Sequence, residues 1–162
     1  MKRIGILTYF TDPPYFNDIN PGMNLQAYST FTALNKQYPD AEVEMIRYHS
    51  WFAIWRIYLS SMTFNTLCQD FIQLRKYFQF CRYFKLSKRI LISKNVKKSL
   101  NFIDSLGYDA IYVGSDTVLE LFRAKETEIT TYWLSSQIKA KKFMIAASAR
   151  NTSFSNLSEI QK

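Results

Sequence analysis

The chain has 162 residues, 48% of them hydrophobic and 21% charged, with a formal net charge of +8. These totals describe one globular domain with a real core, and they exclude both a disordered chain and two domains of ordinary size. Four glycines and four prolines beside 17% aromatic residues also exclude an all-β protein built on many tight turns.

Arg3-Ile-Gly-Ile-Leu-Thr-Tyr9 is a short apolar run and reads as a buried first strand. Thr11 to Gly22 is polar, carries Pro13, Pro14 and Pro21, and reads as a loop. From Met23 to Tyr38, apolar residues at Leu25, Tyr28, Phe31, Leu34 and Tyr38 keep the spacing of a helix face, and Pro39-Asp40 ends it. Glu42 to Tyr48 reads as a second strand, so the chain opens with a βαβ unit, which implies a parallel sheet.

The middle, Trp51 to Ser105, reads as helical, with Phe71, Leu74, Phe78 and Cys81 repeating on one face. Asp109 to Val113 returns as a strand and runs into Gly114-Ser115-Asp116; Lys142 to Ala147 is a further strand, followed by Ser148. The expected fold is α/β: an open, Rossmann-like parallel sheet with strands near 3–9, 42–48, 109–113 and 142–147 and helices on both faces. Residues 1–155 make up this domain. Asn156-Leu-Ser-Glu159 carries a capping signal, so 156–162 reads as an element begun and not finished. The expectation is a truncated chain whose C-terminal domain is absent.

The excess charge is concentrated. Between Trp51 and Ser99 there are ten Lys/Arg and one acid, Asp70, which leaves the rest of the chain near neutral. The segment 51–105 is therefore a basic, aromatic stretch, suited to lipid head groups, nucleic acid or an acidic partner, or else a solvated helical face. Cys68 and Cys81 have neither a CxxC nor metal-ligand spacing and read as small hydrophobes in a reducing compartment. The apolar run after Lys2-Arg3 breaks at Thr8 without a cleavage site, and Trp51 to Leu67 is too short to span a membrane and carries Arg56 near its centre. A cytoplasmic protein is expected, with peripheral contact at the inner face of the membrane as a variant of that location.

In open parallel sheets ligands bind beyond the carboxyl ends of the strands. Three loops qualify. Phe10 to Asn24 ends in a helix N-terminus with Asn24 and Gln26 near it, a natural anion site unless Asn24 serves only as the N-cap. Gly114-Ser115-Asp116 combines close backbone approach with a hydroxyl and a carboxylate, and Ala146-Ala-Ser148-Ala leaves room at a strand end. His49 is the single histidine; with no carboxylate beside it in sequence, it reads as a capping or surface residue. Without a Walker loop, a GxGxxG or a tight DxD, no cofactor and no metal are expected, and no residue is assigned as acid or base.

In order along the chain, these segments resemble the polysaccharide pyruvyl transferase family. Ile4-Gly-Ile-Leu-Thr8, a loop and Asn24-Leu-Gln-Ala-Tyr28 are similar to the family's "KIGILT" strand, loop and "LQAYAL" helix. Glu42 to Tyr48 resembles its "VEVIDY" strand, and Phe84-Lys-Leu-Ser-Lys88 the stretch preceding its central strand. Asp109 to Asp116 resembles "DAFIVGSDQVW"; Tyr132-Trp-Leu134 with Lys141 to Ser148 resembles "YFL…KKISYAAS". The departures are Thr117-Val-Leu119 in place of Gln-Val-Trp, Ala146-Ala-Ser-Ala-Arg150 in place of "AASFG", and a proline-rich first loop in place of "NYGA".

The resemblance implies a two-domain, GT-B-like fold with the active site between domains. It implies transfer of an enolpyruvyl unit from phosphoenolpyruvate to a nucleotide- or lipid-linked sugar during cell-surface polysaccharide synthesis, ending as a pyruvate ketal. The main acid, base and dianion clamp are then expected in a C-terminal domain or a separate C-terminal half, so this chain is expected to be inactive alone. Asn24, Gln26, Ser115, Asp116 and Ser148 are expected to line the cleft as substrate-binding residues. The rival readings are another glycan-modifying transferase of GT-B-like fold and a non-catalytic module that binds an anionic membrane surface or a partner. Nucleic-acid binding ranks last, because no nucleic-acid module surrounds the basic segment.

Overall fold

A computed structural model of the chain describes residues 1–12, 15, 20–49, 64–114, 116, 118–119 and 130–148. In chain order the elements are β1 (Lys2–Leu7), α1 (Pro21–Gln37), β2 (Ala41–His49), α2 (Phe64–Cys81), β3 (Leu86–Ile92), α3 (Val96–Asp104), β4 (Ala110–Gly114), a 3-10 turn (Thr131–Trp133) and β5 (Lys141–Ile145). The five strands form one sheet in the order β3-β2-β1-β4-β5, and every pairing is parallel. This is an open, Rossmann-like α/β sheet in which the strand order reverses beside β1.

The inner strands β1, β2 and β4 are buried on both faces in the way their apolar runs require, whereas the edge strand β5 is exposed from Lys141 to Met144 although its apolar run predicts cover on both faces. Alternate residues point to opposite sides. Ile4, Ile6, Val43, Met45 and Tyr112 face a core shared with Ala27 and Leu34 of α1 and with Phe84. Leu7, Ile46, Ile111 and Val113 face the other core, where Leu100, Phe102 and Ile103 of α3 cover them. Gly5 is required between these layers: a Cβ there would lie 2.7 Å from Ile46 Cδ1 and 2.8 Å from the Tyr108 ring.

The expected strands at 3–9, 42–48, 109–113 and 142–147 all appear, with small shifts of boundary. Three readings need correction. The segment 51–105 is not helical throughout, because β3 runs through it at the sheet edge. Its central Lys88-Arg89 pair interrupts the apolar run, and charges on an edge strand are a common defence against stray pairing. The stripe of Phe71, Leu74, Phe78 and Cys81 is not one core-facing surface: Phe71 is 71% and Phe78 45% exposed, while Cys81 is buried. Finally, α1 starts earlier than expected. Pro21 takes the first helical position and Asn20 is the cap, its side chain accepting from the Met23 N–H at 3.2 Å. The stretch 156–162 lies outside the described residues.

At the amino edge of the sheet, Arg3 of β1 ties β2 to the connection that leads into β4. Its Nη2 reaches Glu44 at 2.9 Å, its Nη1 donates to the Leu106 carbonyl at 2.6 Å, and its guanidinium lies 4.8 Å over the Tyr108 ring. Glu44 is 4% exposed and also accepts from the Tyr108 hydroxyl, so its buried charge is paired and hydrogen-bonded.

Candidate functional site

The carboxyl ends of β1 and β2 meet in a buried polar cluster. Arg47 and His49 are two residues apart on β2 and so share a face, and Asp12 follows β1. Asp12 accepts from Arg47 Nε at 2.9 Å and from Arg47 Nη2 at 3.1 Å, a two-point fork, and its Oδ2 also bonds His49 Nε2 at 2.8 Å. The side chains of Asp12 and His49 are 2% and 3% exposed; that of Arg47 is 19% exposed and is the member that meets solvent. The Tyr15 ring lies 5.1 Å from the Arg47 guanidinium, and Phe10 packs beside His49.

The electrostatics follow from this geometry. Burial alone would raise the Asp12 carboxyl, but the hydrogen bonds from His49 and Arg47 hold it below the ordinary carboxylate range. Burial lowers His49, and outweighs the opposing pull of Asp12. At neutral pH the group is therefore a carboxylate, a guanidinium and an uncharged imidazole whose Nε2 carries the proton donated to Asp12. Arg47 Nη1 is not used by Asp12 and is directed at no other described acid.

His49 is not the capping or surface residue that its sequence neighbours suggest: it is buried, and Asp12, 37 residues away in sequence, is the carboxylate that orients it. The same loop is held from two more sides. Asn24 is buried, accepts from the Thr11 N–H at 2.9 Å and donates to Thr11 Oγ1 at 2.8 Å. The Cys81 thiol donates to the Thr11 carbonyl at 2.7 Å, and burial pushes that thiol up to about 12. Asn24 is thus neither the N-cap nor an open donor: it clamps the first loop. Gln26 lies exposed on α1, beyond the first turn.

The second cluster forms where β4 and β5 end. Ser148 N–H donates to the Asp116 carbonyl at 2.9 Å, and the Leu119 N–H donates to the Ser148 carbonyl at 3.2 Å, so the two loops are zipped together. Gly114 makes this possible. Its φ is +133°, and a Cβ there would stand 2.2 Å from the Ile145 carbonyl oxygen. The close approach expected of this glycine is made to the β5 backbone. Asp116 is partly buried and Ser148 exposed, while Ser115 lies outside the described residues.

Tyr132 joins the two clusters. It is buried, with Tyr9 at 4.8 Å and Tyr48 at 5.7 Å between ring centroids, and burial together with Tyr9, Tyr48 and Asp116 holds its hydroxyl well above the usual range. Tyr48 in turn bonds Thr131 Oγ1 at 3.1 Å. Of the five residues expected to line the cleft, the structure brings Asp116 and Ser148 together, turns Asn24 inward and leaves Gln26 apart. Sequence reading missed Asp12, Arg47, Tyr48 and the role of His49. The available signal was an Arg-x-His pair ending the second strand with an aspartate in the loop after the first.

Away from this edge, an open groove of about 620 Å³ runs between β3 and α3, lined by Lys88, Arg89, Lys98, Asn101, Phe102 and Ser105, among others. Among the described residues no group of three or more His, Cys, Asp or Glu side chains is arranged to hold a metal ion. No helix among them is long and apolar enough to cross a membrane. No family model, curated protein or solved structure matches the chain.

Proposed function

We propose that the chain is the N-terminal, Rossmann-like half of a pyruvyl-transferase-like enzyme with a GT-B-like arrangement, acting on a nucleotide- or lipid-linked sugar of a cell-surface polysaccharide. The observation that carries this reading is the convergence of the β1, β4 and β5 loops at the carboxyl edge, where the strand order reverses and where ligands of such sheets bind. The order of segments that resemble the pyruvyl transferases supports the same assignment of these loops to the substrate cleft.

In this reading the acceptor sugar lies against Asp116 and Ser148, which offer a carboxylate and a hydroxyl to its hydroxyl groups. Arg47, half fixed by Asp12, presents Nη1 to the carboxylate or phosphate of phosphoenolpyruvate. Asp12 and His49 position that arginine and are too buried to touch substrate. During the reaction a proton is added to the methylene carbon of the enol, a sugar oxygen bonds to the adjacent carbon, and a second sugar hydroxyl closes the ketal as phosphate leaves. The acid, the base and the rest of the dianion clamp are assigned to a second domain facing this edge.

The test is transfer itself. The chain, alone and joined to a C-terminal domain of the proposed family, is incubated with phosphoenolpyruvate and nucleotide- or lipid-linked sugars. Phosphate release and the ketal methyl signal are followed by NMR. The joined protein is expected to form ketal and the chain alone is not; Asp116→Ala is expected to lower turnover of the joined protein at least tenfold. A folded joined protein that releases no phosphate with any acceptor would remove the assignment.

A further inference from the structure

The face of α2 that the fold leaves uncovered is unusual in what it exposes. Phe71 is 71%, Ile72 57% and Phe78 45% exposed, and Tyr83, in the turn that follows, is 67% exposed. Phe71, Arg75 and Phe78 recur at steps of four and three, with Ile72 and Lys76 beside them, so they share one face of the helix. Arg75, Lys76 and Arg82 are exposed, and among the described residues no ion pair involves any of them. At the carboxyl end of the helix, Phe80 and Cys81 meet the body of the domain at Phe84 and Thr11.

We infer that this face of α2 docks on an anionic lipid bilayer, with Phe71, Ile72 and Phe78 entering the interface and Arg75, Lys76 and Arg82 meeting acidic head groups. An interfacial helix needs large apolar side chains on one face and cations flanking them, and this helix supplies both. Contiguous exposed apolar groups on a domain surface otherwise mark a protein interface. A second copy of the same face is disfavoured, because it would bring three cations against three. An acidic protein would use the cations but gives no reason for four exposed apolar side chains beside them. The inference stands independently of the transferase reading. It is carried by exposure and charge alone.

The experiment is co-sedimentation of the full chain with vesicles of phosphatidylcholine, with and without about one third phosphatidylglycerol, between low and high salt. Binding is expected at least tenfold stronger to the anionic vesicles and is expected to fall as salt rises. Arg75→Glu with Lys76→Glu should remove most of it, and Phe71→Ser with Phe78→Ser should weaken it at least fivefold at unchanged charge. Lys36→Glu with Lys139→Glu alters exposed cations elsewhere by the same charge and should leave at least half of the binding. Far-UV circular dichroism checks that each variant is folded. The inference is overturned by equal binding to neutral vesicles, or by an equal loss in the Lys36 and Lys139 variant. It is also overturned if polyglutamate binds as tightly as the anionic vesicles and the phenylalanine variant is unaffected, which would assign the face to an acidic protein.

Discussion

Asp12 Oδ2 and His49 Nε2 meet at 2.8 Å, with both side chains almost completely withdrawn from water. The contact joins the end of β1 to the end of β2, and Arg47 locks the same carboxylate from the other side. One acid thus holds an imidazole in a single tautomer and a guanidinium in a single orientation. That is preorganisation of the carboxyl edge rather than ordinary surface pairing.

This contact makes stability depend on pH. His49 titrates below its ordinary 6.5 in the folded chain, so between that value and its folded value the unfolded chain binds the extra proton. The stability it contributes is therefore complete above about pH 6.5 and is lost as pH falls from there. Asp12 adds a second loss further down, below its ordinary 3.8, because its folded value is lowered too. Thermal melts from pH 8 to pH 4 should show Tm falling on the acid side of neutrality. His49→Gln, which can still donate to Asp12, should flatten the upper part of that fall.

Arg3 is expected to matter more than its exposure suggests. Glu44 is buried and relies on Arg3 Nη2 and the Tyr108 hydroxyl. Arg3→Met leaves that carboxylate short of its countercharge; because the Arg3 side chain is 37% exposed, the cost is set at about 2 kcal/mol, below that of a fully buried pair. Glu44→Gln in the same chain should recover part of the loss. Urea denaturation of the two single variants and the double variant reads the coupling.

Gly114→Ala should be among the most damaging small changes. The added methyl would stand 2.2 Å from the Ile145 carbonyl oxygen at a backbone φ of +133°, so both space and conformation oppose it. A loss of about 2–4 kcal/mol is expected, with the β4 and β5 loops parting. Amide hydrogen exchange at Ser148 and Leu119, whose N–H groups close the zipper, would report that parting.

Much of the fold was legible because buried parallel strands announce themselves as uninterrupted apolar runs, as Ile4 to Leu7 and Ala110 to Val113 do. β3 was not, since Lys88 and Arg89 break its run at an edge where water still reaches them. The loop Gly114 to Asp116 was legible as a place of close approach, although the approach is to β5. The buried cluster was hidden for a different reason. Asp12 and His49 are brought together only when β1 and β2 pair in register, and nothing local in either segment marks the other as its partner. Asn24 was visible as a polar residue near a helix start, but its inward direction follows from Thr11, thirteen residues earlier.

The Cys81 thiol should be inert. Its pKa is pushed up to about 12 and it donates to the Thr11 carbonyl, so little thiolate exists at neutral pH. In a Cys68→Ser background, Ellman's reagent should react with Cys81 only at the rate of unfolding and rapidly in denaturant. Prompt labelling of the native chain would mean that the first loop opens freely.

The most direct test of the central claim, that ligand meets this domain at the carboxyl ends of β1, β2, β4 and β5, is an amide NMR titration with phosphoenolpyruvate. The expected result is a set of shifts centred on Arg47, Gly114, Asp116 and Ser148, saturating together and weakened by Arg47→Met. Shifts confined to the groove of Lys88, Arg89 and Lys98, or none at millimolar ligand, would contradict it.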